Sequence, residues 1–163
     1  MILIEPTIQA RFGRALRQRA LSAFLREAVA AARLKGSVSV LLAGDAEIRR
    51  LNREFRRKDR PTDVLSFPAP EPPTGHARAA GDLAVSVETA ARQAEEHGHP
   101  LATELQILVL HGVLHLAGYD HEADEGQMAR KEAALRRRFG LSAGLIERSE
   151  RPTKTAPRRG RRP

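Results

Sequence analysis

The sequence contains no cysteine and no tryptophan, and its aromatic residues are one tyrosine and five phenylalanines. Without cysteine no disulfide framework can form, and any metal site must be built from histidine, aspartate or glutamate. No uncharged apolar run approaches the roughly 20 residues that a bilayer span needs. Only four apolar residues precede Glu5, too few for the apolar region of a signal peptide. We therefore expect a cytoplasmic protein that does not contact a membrane.

Positive charge is concentrated at the end of the chain. Residues 151–163 hold six basic residues and no acidic one, and so account for six of the eight net positive charges. This segment has three prolines and no apolar periodicity, a composition that predicts disorder. We expect residues 1–147 to form a single domain and residues 148–163 to form a basic, disordered tail. Such a tail is either a solubilising extension or an electrostatic arm for a phosphate backbone.

Apolar periodicity predicts an α+β fold with a small mixed four-stranded sheet packed against about five helices. The predicted order is strand, helix, strand, helix, two strands and three helices. Pro61 and Pro68 confine the third strand, residues 63–67, to a sheet edge or its ends. We interpret Phe55 and Phe67 as core residues. The predicted helices span residues 11–34, a short segment from residue 45, and residues 88–96, 101–117 and 124–139.

The stretch HGVLHLAGYDH, residues 111–121, places three histidines close together. Residues four apart on a helix lie on one face, so His111 and His115 project side by side, as two ligands of one metal ion would. Gly118 follows where a helix end favours a left-handed residue, and the turn allows His121 to complete a set of three imidazoles. We therefore predict a zincin-like metal helix.

Three neutral ligands leave a fourth position open, which is typical of a catalytic zinc site. The uncompensated charge would bring a bound water toward a pKa of about 7. We expect one Zn²⁺ per chain, although surface histidines at a helix end, or a structural site closed by Asp120 or Glu122, remain alternatives. The other three histidines, at positions 76, 97 and 99, fall in predicted loops and are interpreted as surface residues.

The residue after the first histidine is Gly112. In metzincin peptidases, which share the spacing of the three histidines, a glutamate at this position is the general base. Its absence argues against a peptidase of that class. We also expect the missing side chain to leave room above the metal for a bulkier substrate.

Three separated motifs give the chain a resemblance to the YbeY family of bacterial endoribonucleases. They are HGVLHLAGYDH, LNREFRRKDRPTDVLSFP at residues 51–68 and GDLAVS at residues 81–86, and the resemblance covers roughly residues 35–140. It implies a zinc-dependent, single-strand-specific endoribonuclease that acts in ribosomal RNA processing. The implied roles are maturation of the 3′ end of the small-subunit ribosomal RNA and ribosome quality control. The segment after Glu150 is not part of the family pattern.

The resemblance also implies functional residues. The family's metal ligands correspond to His111, His115 and His121, and its functionally important arginine corresponds to Arg56. An arginine beside an open metal site can pair with phosphate through two hydrogen bonds and stabilise charge in the transition state. Apart from the resemblance, the basic cluster that Arg56 begins offers three candidates for RNA binding, namely Arg57, Lys58 and Arg60.

Two rival functions remain at this stage. One is a metal-dependent hydrolase of small molecules or peptides, and the other is a non-enzymatic ribosome assembly factor with a structural zinc. The expected partners are ribosomal RNA and the small ribosomal subunit. The residues do not distinguish attack on phosphorus by water from attack by the RNA 2′-hydroxyl.

Overall fold

The computed structural model describes residues 1–142 and 145–150. Four strands form one mixed sheet, namely β1 (Ile2–Ile4), β2 (Ser37–Ala43), β3 (Val64–Pro68) and β4 (Ala79–Ser86). Their order is β1-β2-β4-β3, with β3 antiparallel to β4 and the other pairs parallel. The strand flanked by prolines therefore lies at an edge of the sheet, as predicted.

Seven α-helices occur within the described residues, rather than about five. They are α1 (Pro6–Phe12), α2 (Gln18–Ala31), α3 (Asp45–Arg56), α4 (Val87–His97), α5 (Leu101–Leu116), α6 (Gln127–Arg138) and α7 (Leu145–Glu150). The α+β class and the mixed four-stranded sheet are confirmed. None of the described helices combines the length and apolar character needed to cross a membrane.

The single helix predicted for residues 11–34 is wrong. A 3₁₀ helix, Gly13–Leu16, separates α1 from α2, and the backbone is left-handed at Gly13 (φ 41°) and Arg17 (φ 45°). Ile8 and Leu16 are nevertheless both buried in the main core. Because buried residues continue across the break, apolar periodicity alone does not reveal where the helix is interrupted.

Helix α5 lies at the centre of the molecule. Eleven of its sixteen residues are buried, and it contacts β3 and β4 on one side and α2 and α4 on others. A helix that is apolar around most of its circumference is held rigidly by its surroundings. The histidines in its last two turns are therefore fixed relative to the edge strand β3.

Helix α3 covers part of the opposite face of the sheet, where a smaller apolar cluster includes Ile48 and Leu65. Phe55 was predicted to be in the core, and this is wrong because its side chain is 61% exposed. It lies in the last turn of α3, where it packs edge to face on the half-buried Phe67 with ring centroids 5.3 Å apart. This end of the helix extends past the fully buried part of the cluster.

The predicted tail begins inside α7. Arg148 forms an ion pair with Glu104, and its side chain is 8% exposed. The disorder predicted for the rest of the tail, residues 151–163, lies outside the described residues.

Candidate metal centre

The turn after α5 brings the third histidine back toward the helix. Gly118 has a φ of 95°, and its N–H donates to the carbonyl of His115 at 3.0 Å. The next residue, Tyr119, donates its N–H to the carbonyl of Leu114 at 3.1 Å. These bonds satisfy carbonyls that the helix end leaves free and reverse the chain. His121 then lies beside the last turns of the helix.

The three imidazoles converge. Each of His111, His115 and His121 offers one ring nitrogen, and these nitrogens all lie within 4.8 Å of one another. The Nε2 atoms of His111 and His115 are 3.1 Å apart. Two nitrogens bound to one tetrahedral zinc at about 2.0–2.1 Å would be separated by roughly 3.3 Å, so the observed spacing fits a shared ion. The closing carboxylates considered above, Asp120 and Glu122, do not belong to this group.

Hydrogen bonds orient two of the rings. Nδ1 of His111 lies 3.0 Å from Oε1 of the buried Glu132, and Nδ1 of His115 lies 3.1 Å from the carbonyl of Tyr119. A carboxylate and a carbonyl both accept, so each Nδ1 carries the proton and donates. Each Nε2 is left with a free electron pair that faces the neighbouring histidines. Partners of this kind fix the orientation of metal-binding histidines in proteins.

The surroundings of His115 favour its neutral form. Burial lowers the pKa of His115, and the proximity of His111 and His121 lowers it further. The hydrogen bond to Tyr119 and the charge of Asp120 act in the opposite direction, but the net pKa lies below its ordinary value. A neutral imidazole is the form that binds a metal ion.

The histidines line an open pocket of about 520 Å³. Its walls include Val64, Ser66 and Pro68, alternate residues of β3 that face the same side. Asp63, Leu145 of α7 and residues of the turn after α5 also line it. The edge strand therefore forms one wall of the pocket.

Arg56 lines this pocket from the end of α3, whereas Arg57, Lys58 and Arg60 do not. All four side chains are exposed. Within the described part of the chain, the guanidinium of Arg56 makes no hydrogen bond or ion pair. No salt bridge to a described residue therefore fixes the Arg56 side chain, and its positive charge is available to an anion in the pocket.

Gly112 does not face the pocket, and the expectation that it leaves room above the metal is wrong. A Cβ atom built on Gly112 would lie 2.8 Å from Cδ2 and 3.0 Å from Cδ1 of Leu83, a buried residue of β4. The glycine instead permits close packing of α5 on the sheet. A side chain at this position would have to displace the side chain of Leu83.

Sequence reasoning missed Glu132, which lies 21 residues after His111 and contacts it only through the packing of α6. It also took His99 for a surface residue. His99 is 11% exposed, and its Nε2 lies 2.5 Å from Oε2 of the fully buried Glu104. The other two surface predictions agree with the structure, because His76 and His97 are exposed. His97 ends α4 and does not lie in a loop.

Comparison with known proteins identifies the family. The family model described as Endoribonuclease YbeY matches residues 5–140. The chain belongs to the YbeY endoribonuclease family. It is similar to the Endoribonuclease YbeY of Koribacter versatilis, with 50% identity over 145 residues that cover 89% of this chain and 92% of the relative. The Solibacter usitatus Endoribonuclease YbeY is 56% identical over 108 residues, which cover 66% of this chain and 69% of the relative.

The fold agrees with this membership. A solution structure of a Thermotoga maritima protein superimposes with a TM-score of 0.55 at 31% identity, and the match covers 99% of this chain and 100% of that protein. The predicted resemblance to the YbeY family, the predicted enzyme class and the role of the family in ribosomal RNA processing are confirmed. The chain therefore carries a three-histidine group that can bind a metal ion on the fold of an RNA hydrolase.

Proposed function

We propose that the chain is a zinc-dependent, single-strand-specific endoribonuclease that matures the 3′ end of small-subunit ribosomal RNA and serves in ribosome quality control. The convergence of three imidazole nitrogens within 4.8 Å, in a pocket that also holds Arg56, is the observation that carries this proposal. An open pocket at a sheet edge suits an extended polymer better than a small molecule. We infer a cytoplasmic enzyme that works on the small ribosomal subunit.

In this proposal one zinc ion is held by His111, His115 and His121. All-nitrogen tetrahedral sites suit zinc, although nickel and copper also occupy them. When bound, the ion supplies Lewis-acid polarisation of a phosphate oxygen and a lower pKa for a coordinated water. The protons that Glu132 and the carbonyl of Tyr119 keep on the two Nδ1 atoms hold the coordinating nitrogens in the required tautomer.

Arg56 has the role of phosphate ligand. Its unpaired guanidinium can donate two parallel hydrogen bonds to one phosphate, which orients the scissile bond and stabilises the charge that develops in the transition state. Arg57, Lys58 and Arg60 follow directly and lie outside the pocket. We assign them to the flanking phosphates of the same strand, where each adds electrostatic affinity without sequence preference.

The test is cleavage of single-stranded and duplex fragments of ribosomal RNA by the purified protein. We expect cleavage of the single strand, loss of cleavage with a chelator and recovery with one equivalent of zinc. Full cleavage in the chelator after removal of the metal would contradict the proposal. The product ends report the nucleophile, because a 2′,3′-cyclic phosphate indicates attack by the RNA 2′-hydroxyl.

A further inference from the structure

Helix α7 lies against the metal centre, although it follows residues 5–140, the segment that the family model matches. Leu145 lines the metal pocket. The backbone N–H of Ile146 donates to Oε2 of Glu132 at 2.9 Å, and the Ile146 side chain is buried in the main core. The helix is thus in contact with both the pocket and the carboxylate that orients His111.

Both carboxylate oxygens of Glu132 accept hydrogen bonds. Oε1 accepts from Nδ1 of His111, and Oε2 accepts from the N–H of Ile146. The side chain is 1% exposed, so water cannot replace either donor. A buried carboxylate is held in the orientation that satisfies its hydrogen bonds. The position of the carboxylate, and with it the His111 ring, therefore depends on where α7 places Ile146.

Two ion pairs fix α7 in this position. Arg148 donates from Nη1 and Nη2 to the two oxygens of Glu104 at 2.9 and 2.8 Å. Glu104 lies in the first turn of α5, the helix that carries His111 near its other end. Glu147 accepts from Nε of Arg136, a residue of α6, at 2.9 Å. The helix is therefore tied to both of the helices that supply His111 and Glu132.

We propose that α7 positions His111 for metal binding. The Ile146 N–H holds one oxygen of Glu132, whose other oxygen keeps the His111 Nδ1 proton in place and directs Nε2 toward His115. This inference rests on the proposed function, because it concerns the same metal centre. Ile146 and Glu132 are positioning residues, and neither belongs to the converging nitrogens. Loss of an outer-shell partner of this kind typically lowers metal affinity by about 10- to 100-fold.

Ile146→Pro tests the hydrogen bond. Ile146 is the second residue of α7, in the first turn, where proline is tolerated because its fixed φ is compatible with the start of a helix. Ile146→Ala is the matched control, since it also shortens the buried side chain but keeps the N–H. We expect zinc affinity, measured by competition with a chromophoric chelator, to be about 10- to 100-fold weaker in Ile146→Pro than in Ile146→Ala. Equal affinities would overturn the role of α7.

Hydrogen exchange of the wild-type protein gives a second measurement that needs no variant. Coupling between two sites is reciprocal, so zinc should stabilise the docking of α7 as much as docking strengthens zinc binding. We expect added zinc to slow exchange of the Ile146 amide about 10- to 100-fold, and an unchanged rate would contradict the inference. Wild-type protein that binds no zinc would instead contradict the proposed function. Zinc binding with no effect at Ile146 contradicts the positioning role alone.

Discussion

Arg56 differs from the other arginines of its helix. Arg49 pairs with Asp59, Arg50 with Glu47 and Glu54, and Arg53 lies 3.8 Å from Asp59. Arg56 has no such partner in the part of the chain that the structure describes, and it lines the metal pocket. The amphipathic pattern of α3 predicts that Arg56 points away from the apolar face, and its exposed position agrees.

Arg56→Ala should spare fold and metal binding but reduce RNA cleavage. Loss of one preorganised group that stabilises transition-state charge costs about 10²- to 10³-fold in rate. Arg56→Lys keeps the charge without the planar pair of donors and should recover only part of the rate. The cleavage rate, metal content and melting temperature are measured on the same preparations.

Arg50→Ala is the matched control for Arg56, because it removes an exposed arginine of the same helix that does not line the pocket. Its cleavage rate should stay close to that of the wild type. Normal cleavage by Arg56→Ala with intact metal would show that the family's arginine role does not extend to this chain.

Gly112 allows α5 to pack closely on Leu83 of the sheet, and its substitution should lower the stability of the fold. Gly112→Ala places a methyl group against Leu83, and overpacking of this kind costs about 1–3 kcal/mol, against about 1 kcal/mol gained from helix propensity. We expect a net loss in the free energy of unfolding. In the Leu83→Ala background, where space is available, the same change should become stabilising. Equal effects of Gly112→Ala in both backgrounds, measured by urea unfolding, would contradict this explanation.

At the residue scale, the sequence predicts contacts between near neighbours better than distant ones. The spacing of His111, His115 and Gly118 is enough to predict that His121 joins the other two imidazoles. The partnership of His111 with Glu132 depends on how α6 packs, and no local pattern encodes it. The wrong prediction for Phe55 has a similar origin, because apolar character alone does not show where the sheet ceases to cover α3.

At the scale of elements, Asp45 joins the start of α3 to the junction of β4 and α4. Its Oδ1 accepts from the hydroxyls of Ser86 and Thr89 at 2.5 and 2.7 Å, and its Oδ2 accepts from Arg92 at 2.8 Å. Burial raises the pKa of Asp45, but these hydrogen bonds and the charge of Arg92 outweigh it, so the net pKa is below its ordinary value. The ionised form of Asp45 therefore stabilises the fold.

Asp45→Asn should lower stability at neutral pH and should lower it less in acid. The folded-state pKa lies below the unfolded value of 3.8, so the contribution is present above that value and is lost as the pH falls through the folded-state pKa. We expect a loss of about 1 kcal/mol at pH 7, since the remaining amide still accepts one hydrogen bond. The free energies of unfolding of the wild type and of Asp45→Asn are compared at pH 7 and at pH 3. An equal loss of stability at both pH values would contradict the stabilising role of the ionised carboxylate. Asp59→Asn, at an exposed pair, is the control.

Elements were predicted with uneven success for physical reasons. The edge position of β3 follows from prolines that cannot donate to a neighbouring strand, and the structure places it there. The break between α1 and α2 depends on left-handed conformations at Gly13 and Arg17. The glycine is a signal that apolar periodicity does not take into account, and the arginine gives no signal. The docking of α7 depends on the ion pair between Arg148 and Glu104, which lie 44 residues apart in the sequence. No local pattern predicts such a pair.

At the scale of the whole molecule, residues 1–150 are only mildly basic, whereas residues 151–163 carry six basic side chains. Deletion of these residues should weaken RNA binding without lowering the cleavage rate of bound RNA. Fewer counterions are then released, so the slope of log affinity against log salt should flatten by at most about 4. A variant with the same residues in scrambled order should keep the slope. An unchanged slope after deletion would show that the segment does not contact RNA.

The metal content of the purified chain tests the central claim most directly. Elemental analysis of the wild type should find one zinc per chain, and His115→Ala should lose stoichiometric metal because two imidazoles remain where three are needed. His76→Ala, which removes an exposed histidine outside the group, should retain one ion per chain. Full retention of metal by His115→Ala, or a wild-type chain that binds none, would contradict the account.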